Sequence, residues 1–301
     1  MCKYILLRTS YALIVLLSIS MLTFALGRLT PGDPTAVFLY NIQNPTPEDI
    51  QAARETMGLD RPIALQYISW LSAALTGDLG ISHRSHYPII YEISTRLPAT
   101  LLLMAGSLVT MLVVGFTFGI LSALHHNKIP DYLIRLFNIV ALSIPAFCMG
   151  IFLTLMMRGL PIVGAIGLNR LILPSLTIGL GAGAGFARLI RAQIIAAMNR
   201  EFVKAAMVFG VSRPKVILNN VVKNAMPPIV TNIGLFIGSI LGGSAIIESL
   251  FSWPGVGRYA VDAIFGRDYP VIQAYALLMA AVYIIVNLLT DIINRLFVPA
   301  R

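Results

Sequence analysis

Apolar and polar residues alternate along this chain in long blocks. Six blocks contain no Asp, Glu, Lys or Arg: Thr9–Gly27, Leu97–Leu124, Leu136–Met157, Leu171–Ala187, Asn224–Ile247 and Tyr269–Thr290. Each is about as long as a helix that crosses roughly 30 Å of hydrocarbon. The fourth block is marginal, because it carries Gly179, Gly181, Gly183 and Gly185. The pattern predicts an all-α, polytopic membrane protein with six transmembrane helices.

The composition supports the same class. Of 301 residues, 57% are hydrophobic and only 12% are charged. A soluble domain of this size cannot hide so much apolar surface, whereas a bilayer can. Lys3 and Arg8 precede the first block, as in a signal peptide, but no small-residue cleavage site follows it. We therefore interpret residues 1–29 as an uncleaved first helix.

The distribution of basic residues predicts the orientation in the membrane. Seven basic residues lie from Arg188 to Lys223 against the single acid Glu201, whereas Thr30–Arg96 has four arginines and seven acids. By the positive-inside rule, both termini and the 188–223 region are cytoplasmic, and Thr30–Arg96 is external. Topology explains the net charge of +9, so nucleic-acid binding is not predicted.

The external segment, residues 30–96, contains two short helical patterns. Pro45 to Gly58 combines a start signal, helix-forming residues and a terminal glycine, and Ile63 to Leu75 is amphipathic. The predicted organisation is a first transmembrane helix (1–29), the external segment with short amphipathic helices (30–96), and a five-helix transmembrane core (97–301).

The core includes a polar, basic hairpin, residues 200–227. Its first helix has a small, apolar face formed by four residues at helical spacing: Phe202, Ala205, Ala206 and Phe209. Gly210 suits a helix C-terminus, and Ser212 can cap a second helix. We interpret the basic hairpin as a helix-turn-helix in water whose apolar face binds a protein partner. A charged loop that only enforces topology is the alternative.

The run Ala205-Ala-x-x-x-Gly210 resembles the cytoplasmic coupling loop of ABC importer membrane subunits, which docks on an ATPase subunit and transmits its motion. Lys204 stands where a glutamate is usual, and the distance from Gly210 to Pro227 is longer than the common form. Both departures resemble the peptide/nickel branch of these permeases. The resemblance implies that the ATPase-coupling residues are Glu201, Lys204, Ala205, Ala206, Gly210 and Arg213.

Two further motifs resemble the same branch. Met57–Pro62 and Gly77–Ser82 are similar to its first external loop, which implies docking of an external binding protein; packing on the membrane surface is the alternative. Glu248–Tyr259 and Arg267–Pro270 resemble its external gate loop. The implied gate residues are Glu248, Phe251, Pro254, Gly255 and Gly257. The rings of Trp253 and Tyr259 are expected at the headgroup level.

The fifth block raises two questions about individual residues. Glu248 ends an apolar helix, so its carboxylate must reach water, pair with a cation or become protonated. It is interpreted either as a pore or gate group or as an interfacial residue held by Arg258 or solvent. Glycines at four-residue spacing, Gly234, Gly238 and Gly242, form a pore or helix-packing stripe. This stripe contacts either a second permease or helices of the same chain.

Several kinds of site have no counterpart in the sequence. There is no Gly-x-x-x-x-Gly-Lys-Ser/Thr run, no HExxH and no nucleophile–base pair. No catalytic, cofactor or metal site is therefore predicted, and ATP hydrolysis is expected in separate subunits. His83 and His86 could ligate a metal, but two histidines rarely make a complete site. Cys2 and Cys148 are predicted to be free thiols.

The resemblance implies the permease subunit of an ATP-driven, binding-protein-dependent importer in the bacterial cytoplasmic (inner) membrane. Its implied partners are a second homologous permease, two ATPase subunits, an external substrate-binding protein and the lipid bilayer. A secondary transporter or channel without an ATPase is the alternative, which the absence of repeated halves and of intramembrane ionisable groups disfavours. The run Gly257–Gln273 resembles nickel-importer permeases, which favours nickel or a metal–chelator complex as substrate, followed by di- or oligopeptides.

Overall fold

A computed structural model describes residues 2–29, 35, 39, 45–157, 168–209 and 222–297. Every regular element in these ranges is a helix, which confirms the all-α fold. The helices are α1 (Cys2–Leu29), α2 (Pro47–Thr56), α3 (Ile63–Leu75), α4 (Ile89–Leu124), α5 (Ile129–Ser143), α6 (Ala146–Met156), α7 (Leu168–Met198), α8 (Glu201–Val208), α9 (Val222–Gly243), α10 (Ala245–Leu250), α11 (Val256–Phe265) and α12 (Tyr269–Phe297).

Three of these helices are long and apolar enough to cross a membrane in the part of the chain that the structure describes. They are Ile89–Leu124 in α4, Asn169–Met198 in α7 and Tyr269–Ile293 in α12. The pair α5 and α6 adds a fourth crossing if its two helices form one span. The protein is thus polytopic, and the total of six spans stays a prediction.

The third apolar block, Leu136–Met157, is not the single helix that its hydropathy predicted. The chain bends by 109° between α5 and α6. Ile144 between them is extended (φ −89°, ψ 121°), as the residue before a proline prefers, and Pro145 precedes the first turn of α6. The proline therefore converts one apolar block into a broken pair of helices.

The glycines of the fourth block serve helix packing. A Cβ atom on Gly183 would lie 2.8 Å from the Val114 side chain, and one on Gly179 would collide with Thr110. On the partner helix α4, Gly119 meets Ile190 in the same way. The bare backbone lets α4 and α7 approach closely. The block lies within α7, an unbroken helix of 31 residues.

Contacts divide the chain into two compact units. The first comprises Met1–Pro98 and Tyr259–Val282, and the second comprises Ala99–Arg258 and Tyr283–Arg301. In the first unit, both helices predicted in the external segment are present. Thr46 and Asp49 form a capping box at the start of α2, which explains why that helix begins there.

Candidate functional site

Glu248 in α10 is fully buried, and its carboxylate accepts three hydrogen bonds within the second unit. Oε1 accepts from the hydroxyls of Thr100 (2.9 Å) and Ser244 (3.0 Å), and Oε2 accepts from the backbone N–H of Arg258 (2.8 Å). The contact with Arg258 is thus made by its main chain. We call these four residues the Glu248 node; they join α4, the α9–α10 junction and the start of α11.

The node also lies at a helix N-terminus. Val256 and Arg258 are in the first turn of α11, where backbone N–H groups have no helical partner. Thr100 Oγ1 accepts from Val256 N at 2.9 Å, while the Glu248 carboxylate accepts from Arg258 N. A negative charge is favourable at this end of a helix. The node therefore satisfies two backbone donors that would otherwise be buried and unpaired.

The two glycines of the Pro-Gly-x-Gly motif make room for this carboxylate. A Cβ on Gly255 would collide with Glu248 Oε2 and lie 2.5 Å from Thr100 Oγ1. A Cβ on Gly257 would lie 2.9 Å from Oε2 and 2.8 Å from Ala245 Cα. Both glycines of the motif are thus explained by one requirement, which is room for the buried Glu248 carboxylate.

Aromatic residues of the same motif are core residues. Phe251 is buried with Leu173 and Ile247, and Trp253 is buried with Ala99 and Leu103. The indole N–H of Trp253 donates to the Ala99 carbonyl at 2.8 Å. Trp253 is thus a core residue: its ring fills the interior, and its one donor is satisfied there. Its depth at the headgroup level stays a prediction.

Two motifs that are far apart in sequence meet within the first unit. Asp268 is buried and accepts from Ser82 Oγ (2.6 Å) and from the backbone N–H groups of His83 (3.3 Å) and Arg84 (3.2 Å). Ser82 Oγ also accepts from Ser85 N at 3.0 Å. We call this arrangement the Asp268 clasp. It ties the Gly77–Ser82 motif to the Arg267–Pro270 motif.

Two ionisable groups beside the clasp have shifted pKa values. Burial lowers the pKa of His83, although the charge of Asp268 opposes this shift. Burial likewise raises the pKa of Tyr259, whose ring lies 4.6 Å from the Arg96 guanidinium. The residues placed in the structure include no group of three His, Cys, Asp or Glu side chains that could hold a metal.

Two members of the glycine stripe contact their own chain. A Cβ on Gly234 would collide with Thr290, and one on Gly238 would lie 2.7 Å from the Tyr283 ring, both in α12. Gly242 has open space on that side. Gly234 and Gly238 therefore pack helices of one chain, which is the alternative to contact with a second permease.

The first helix of the basic hairpin is present as α8. Val203 is fully buried against Ala197 and Met198 at the end of α7, and this contact fixes α8 to the longer helix. Glu201 and Ala205 are exposed, and Val208 and Phe209 are 84% and 85% exposed. Lys204 and Ala206 lie within α8. Gly210 and Arg213 lie outside the described residues.

Near the same end of α7, a buried ion pair links three segments of the second unit. Asp131 at the start of α5 is fully buried and accepts from Arg191 Nε (2.8 Å) and Nη2 (2.7 Å). It also accepts from Ser122 Oγ of α4 and from Asn127 N at 3.0 Å. We call these four residues the Asp131 node. All of its carboxylate acceptor positions are used, and Arg191 binds in the bidentate geometry that is strongest for such pairs.

Sequence reasoning did not select Thr100, Ser244, Ser82, Asp268, Asp131 or Arg191 as functional residues. Ser82 and Asp268 do lie inside motifs that it quoted, so motif membership could have selected them. Asp131 offered another signal, because it is an acid flanked by Lys128 and Arg135 in an otherwise apolar core.

Two solved structures with the same fold come from ABC transporters. A chain of the inward-facing MetNI methionine ABC transporter matches with a TM-score of 0.57 at 18% identity, covering 70% of this chain and 98% of that chain. A chain of an amino acid ABC transporter solved with histidines gives a TM-score of 0.51 at 19% identity, covering 68% and 92%. At these identities, the likeness shows the fold alone.

Sequence comparison decides the family. Residues 115–301 match the binding-protein-dependent transport system inner membrane component, and residues 1–105 match the N-terminal part of such a membrane component. The chain belongs to this family. It is a permease subunit of an ABC importer in the peptide/nickel group, as the motifs indicated. Membership implies ATPase and substrate-binding partners and a multi-pass location in the inner membrane.

Relatives that align over almost their whole length have transport names. The glutathione transport system permease protein GsiC of Shigella flexneri serotype 5b is 37% identical over 306 residues, covering 100% of the permease and 99% of the relative. The GsiC protein of Escherichia coli K12 is 36% identical with the same coverage. A putative peptide permease protein of Brucella ovis is 36% identical over 314 residues, covering 99% and 98%.

Proposed function

We propose that the permease forms the translocation path for a small peptide, such as glutathione or a di- or oligopeptide, and that separate ATPase subunits drive it. The names of the full-length relatives support the substrate class. Nickel or a metal–chelator complex was favoured by the Gly257–Gln273 run, but none of these relatives is named for nickel. We therefore place the peptide first and the metal complex second.

The proposed assembly contains two ATPase subunits, a second homologous permease and an external substrate-binding protein. The absence of a phosphate-binding Gly-x-x-x-x-Gly-Lys-Ser/Thr run in the sequence supports separate ATPases. We also propose that both termini and the basic hairpin are cytoplasmic. The charge asymmetry between residues 188–223 and the external segment supports this orientation.

The exposed tip of α8 is the observation that carries the ATP-driven mechanism. Val208 and Phe209 are almost fully exposed, although both are apolar and α8 follows a basic stretch that includes Arg188 and Arg200. An apolar tip amid charges has no lipid to enter, so a protein cleft is its natural partner. Because Val203 fixes α8 to α7, a displacement of this tip moves a long helix of the core.

Replacing Phe209 by aspartate is expected to abolish co-purification of the ATPase subunits and substrate-dependent ATP hydrolysis. A charge at the centre of an apolar contact loses the buried area and leaves an unpaired carboxylate. The measurement is pull-down of the ATPases with the tagged permease from detergent-solubilised membranes, together with substrate-dependent ATP hydrolysis in proteoliposomes.

Phe265→Asp is the matched control for this prediction. Phe265 ends α11 and is 84% exposed, so the same change is made at an equally exposed ring that is not part of the basic hairpin. It is expected to leave ATPase binding intact. If the Phe209→Asp variant binds the ATPases as well as the Phe265→Asp variant does, α8 is not the docking site.

The substrate class is tested with the cognate binding protein and the reconstituted importer. We expect the purified binding protein to bind glutathione or short peptides, and unlabelled peptide to compete with uptake of the radiolabelled ligand in proteoliposomes. Free nickel and a nickel–histidine complex serve as competitors in a parallel arm. Competition by the nickel species alone would replace the peptide with a metal complex, while the permease function would stand.

A further inference from the structure

We propose that α3, residues Ile63–Leu75, lies within the bilayer beside α1 and that lipid acyl chains cover its outward face. The inference rests on the predicted membrane crossing of α1. It assigns α3 to the membrane, whereas the external segment was expected either to dock an external binding protein or to pack on the membrane surface.

The composition of α3 disfavours a helix surrounded by water. Its 13 residues include no charged side chain, and the neighbouring charges Asp60, Arg61 and Asp78 lie just beyond its two ends. Its uncharged polar side chains, Gln66, Ser69 and Ser72, leave most of its surface apolar, and such a surface is normally buried in protein or in lipid. No residue of α3 is buried in this protein. Something outside the described chain must therefore cover it.

One face of α3 packs against α1 within the first unit. The ring of Phe24 lies 5.5 Å from that of Tyr67 and 5.9 Å from that of Trp70, and the Tyr67 hydroxyl lies 2.8 Å from Ser20 Oγ. Ser20 precedes the end of α1 by nine residues, which is about 13 Å along the helix axis. α3 therefore runs beside the body of α1 and does not sit above its end.

The opposite face of α3 is apolar and exposed. Leu65, Ile68, Ser72 and Leu75 recur at helical spacing, and all four are exposed. The Ser72 hydroxyl donates to the backbone carbonyl of Ser69 at 2.8 Å, so it does not need water as a hydrogen-bond acceptor. A hydroxyl bonded to its own helix is compatible with hydrocarbon.

Lipid is the occupant because α1 already presents an apolar surface to the bilayer. Leu17, Met21 and Leu22 of α1 are exposed along the part of the helix against which α3 packs. The lipid-facing surface of α1 therefore extends onto α3. Docking of the external binding protein is then left to polar parts of the external segment, such as α2 and the loop that contains the Asp268 clasp.

Site-directed spin labelling of the assembled importer tests this placement. Nitroxides are attached at Leu65→Cys and Ile68→Cys in a Cys2→Ser/Cys148→Ser background and reconstituted into phosphatidylethanolamine–phosphatidylglycerol vesicles. Collision with oxygen, which partitions into lipid, is compared with collision with a water-soluble nickel chelate. We expect oxygen to dominate at both sites. The controls are Leu13→Cys on α1, where oxygen should dominate, and the exposed Gln51→Cys on α2, where the chelate should dominate.

Each other outcome overturns the inference in a recognisable way. Dominant collision with the chelate at Leu65 and Ile68 places α3 in water. Low collision with both reagents places it against protein, and loss of collisions on addition of the binding protein identifies that partner. Water accessibility at Leu13 as well would contradict the membrane crossing of α1, which separates failure of the topology from failure of this inference.

Discussion

The Asp131→Ala variant is expected to lose about 3–5 kcal/mol of stability, because removal of one partner leaves the other charge of a buried ion pair uncompensated. Arg191 is only 20% exposed, and it would keep its charge without the two carboxylate contacts. The Ser122 hydroxyl and the Asn127 N–H would lose their acceptor as well. The measurement is the thermal unfolding midpoint of the detergent-solubilised permease.

A double variant separates the ion pair from general damage to the core. Asp131→Leu/Arg191→Met replaces both charges with apolar side chains, and it should be more stable than either single variant because no charge is left unpaired. The exposed Asp60→Ala is the matched acid-to-alanine control and should change stability by less than about 0.5 kcal/mol. Equal stability of Asp131→Ala and the wild type would show that the pair contributes nothing.

The Asp131 node should also affect coupling, because Arg191 belongs to the helix that carries α8. Met198 at the end of α7 is seven positions after Arg191, which is about two helical turns. If the pair holds this end of α7, the single variants should lower ATPase pull-down at permissive temperature, and the double variant should recover part of it.

Replacing Glu248 by leucine is expected to abolish substrate uptake. The change leaves the hydroxyls of Thr100 and Ser244 and the Arg258 N–H without their acceptor, at about 1–3 kcal/mol for each buried group left unpaired. The start of α11 then loses its attachment to α4 and α10. Uptake by proteoliposomes is the measurement, and ATPase pull-down reports whether the variant still folds.

Two neighbouring variants sharpen this prediction. Glu248→Gln keeps the shape but removes the charge beside the α11 N-terminus, so an intermediate loss of uptake is expected. Ser249→Ala is the control, because its hydroxyl bonds only to the Ala245 carbonyl of its own helix. Wild-type uptake by Glu248→Leu would remove any gate role from this residue.

Local patterns were sufficient for many elements of this fold. Helical periodicity and caps predicted α2, α3 and α8, since a Thr46–Asp49 capping box or a small apolar face depends only on residues within a few turns. Hydropathy also predicted a polytopic, all-α protein. It did not predict the 109° break, although Pro145 was a visible signal within the block.

Residue motifs determined the family and the candidate segments by themselves, because those motifs are short contiguous runs that can be recognised in the sequence alone. The chemical partners were decided by tertiary structure. Glu248 and Thr100 are 148 positions apart, Ser82 and Asp268 are 186 apart, and Asp131 and Arg191 are 60 apart. No local periodicity encodes such pairs, since each depends on how separate helices pack. The same reason explains why Trp253 is a core residue and why Gly234 and Gly238 face α12.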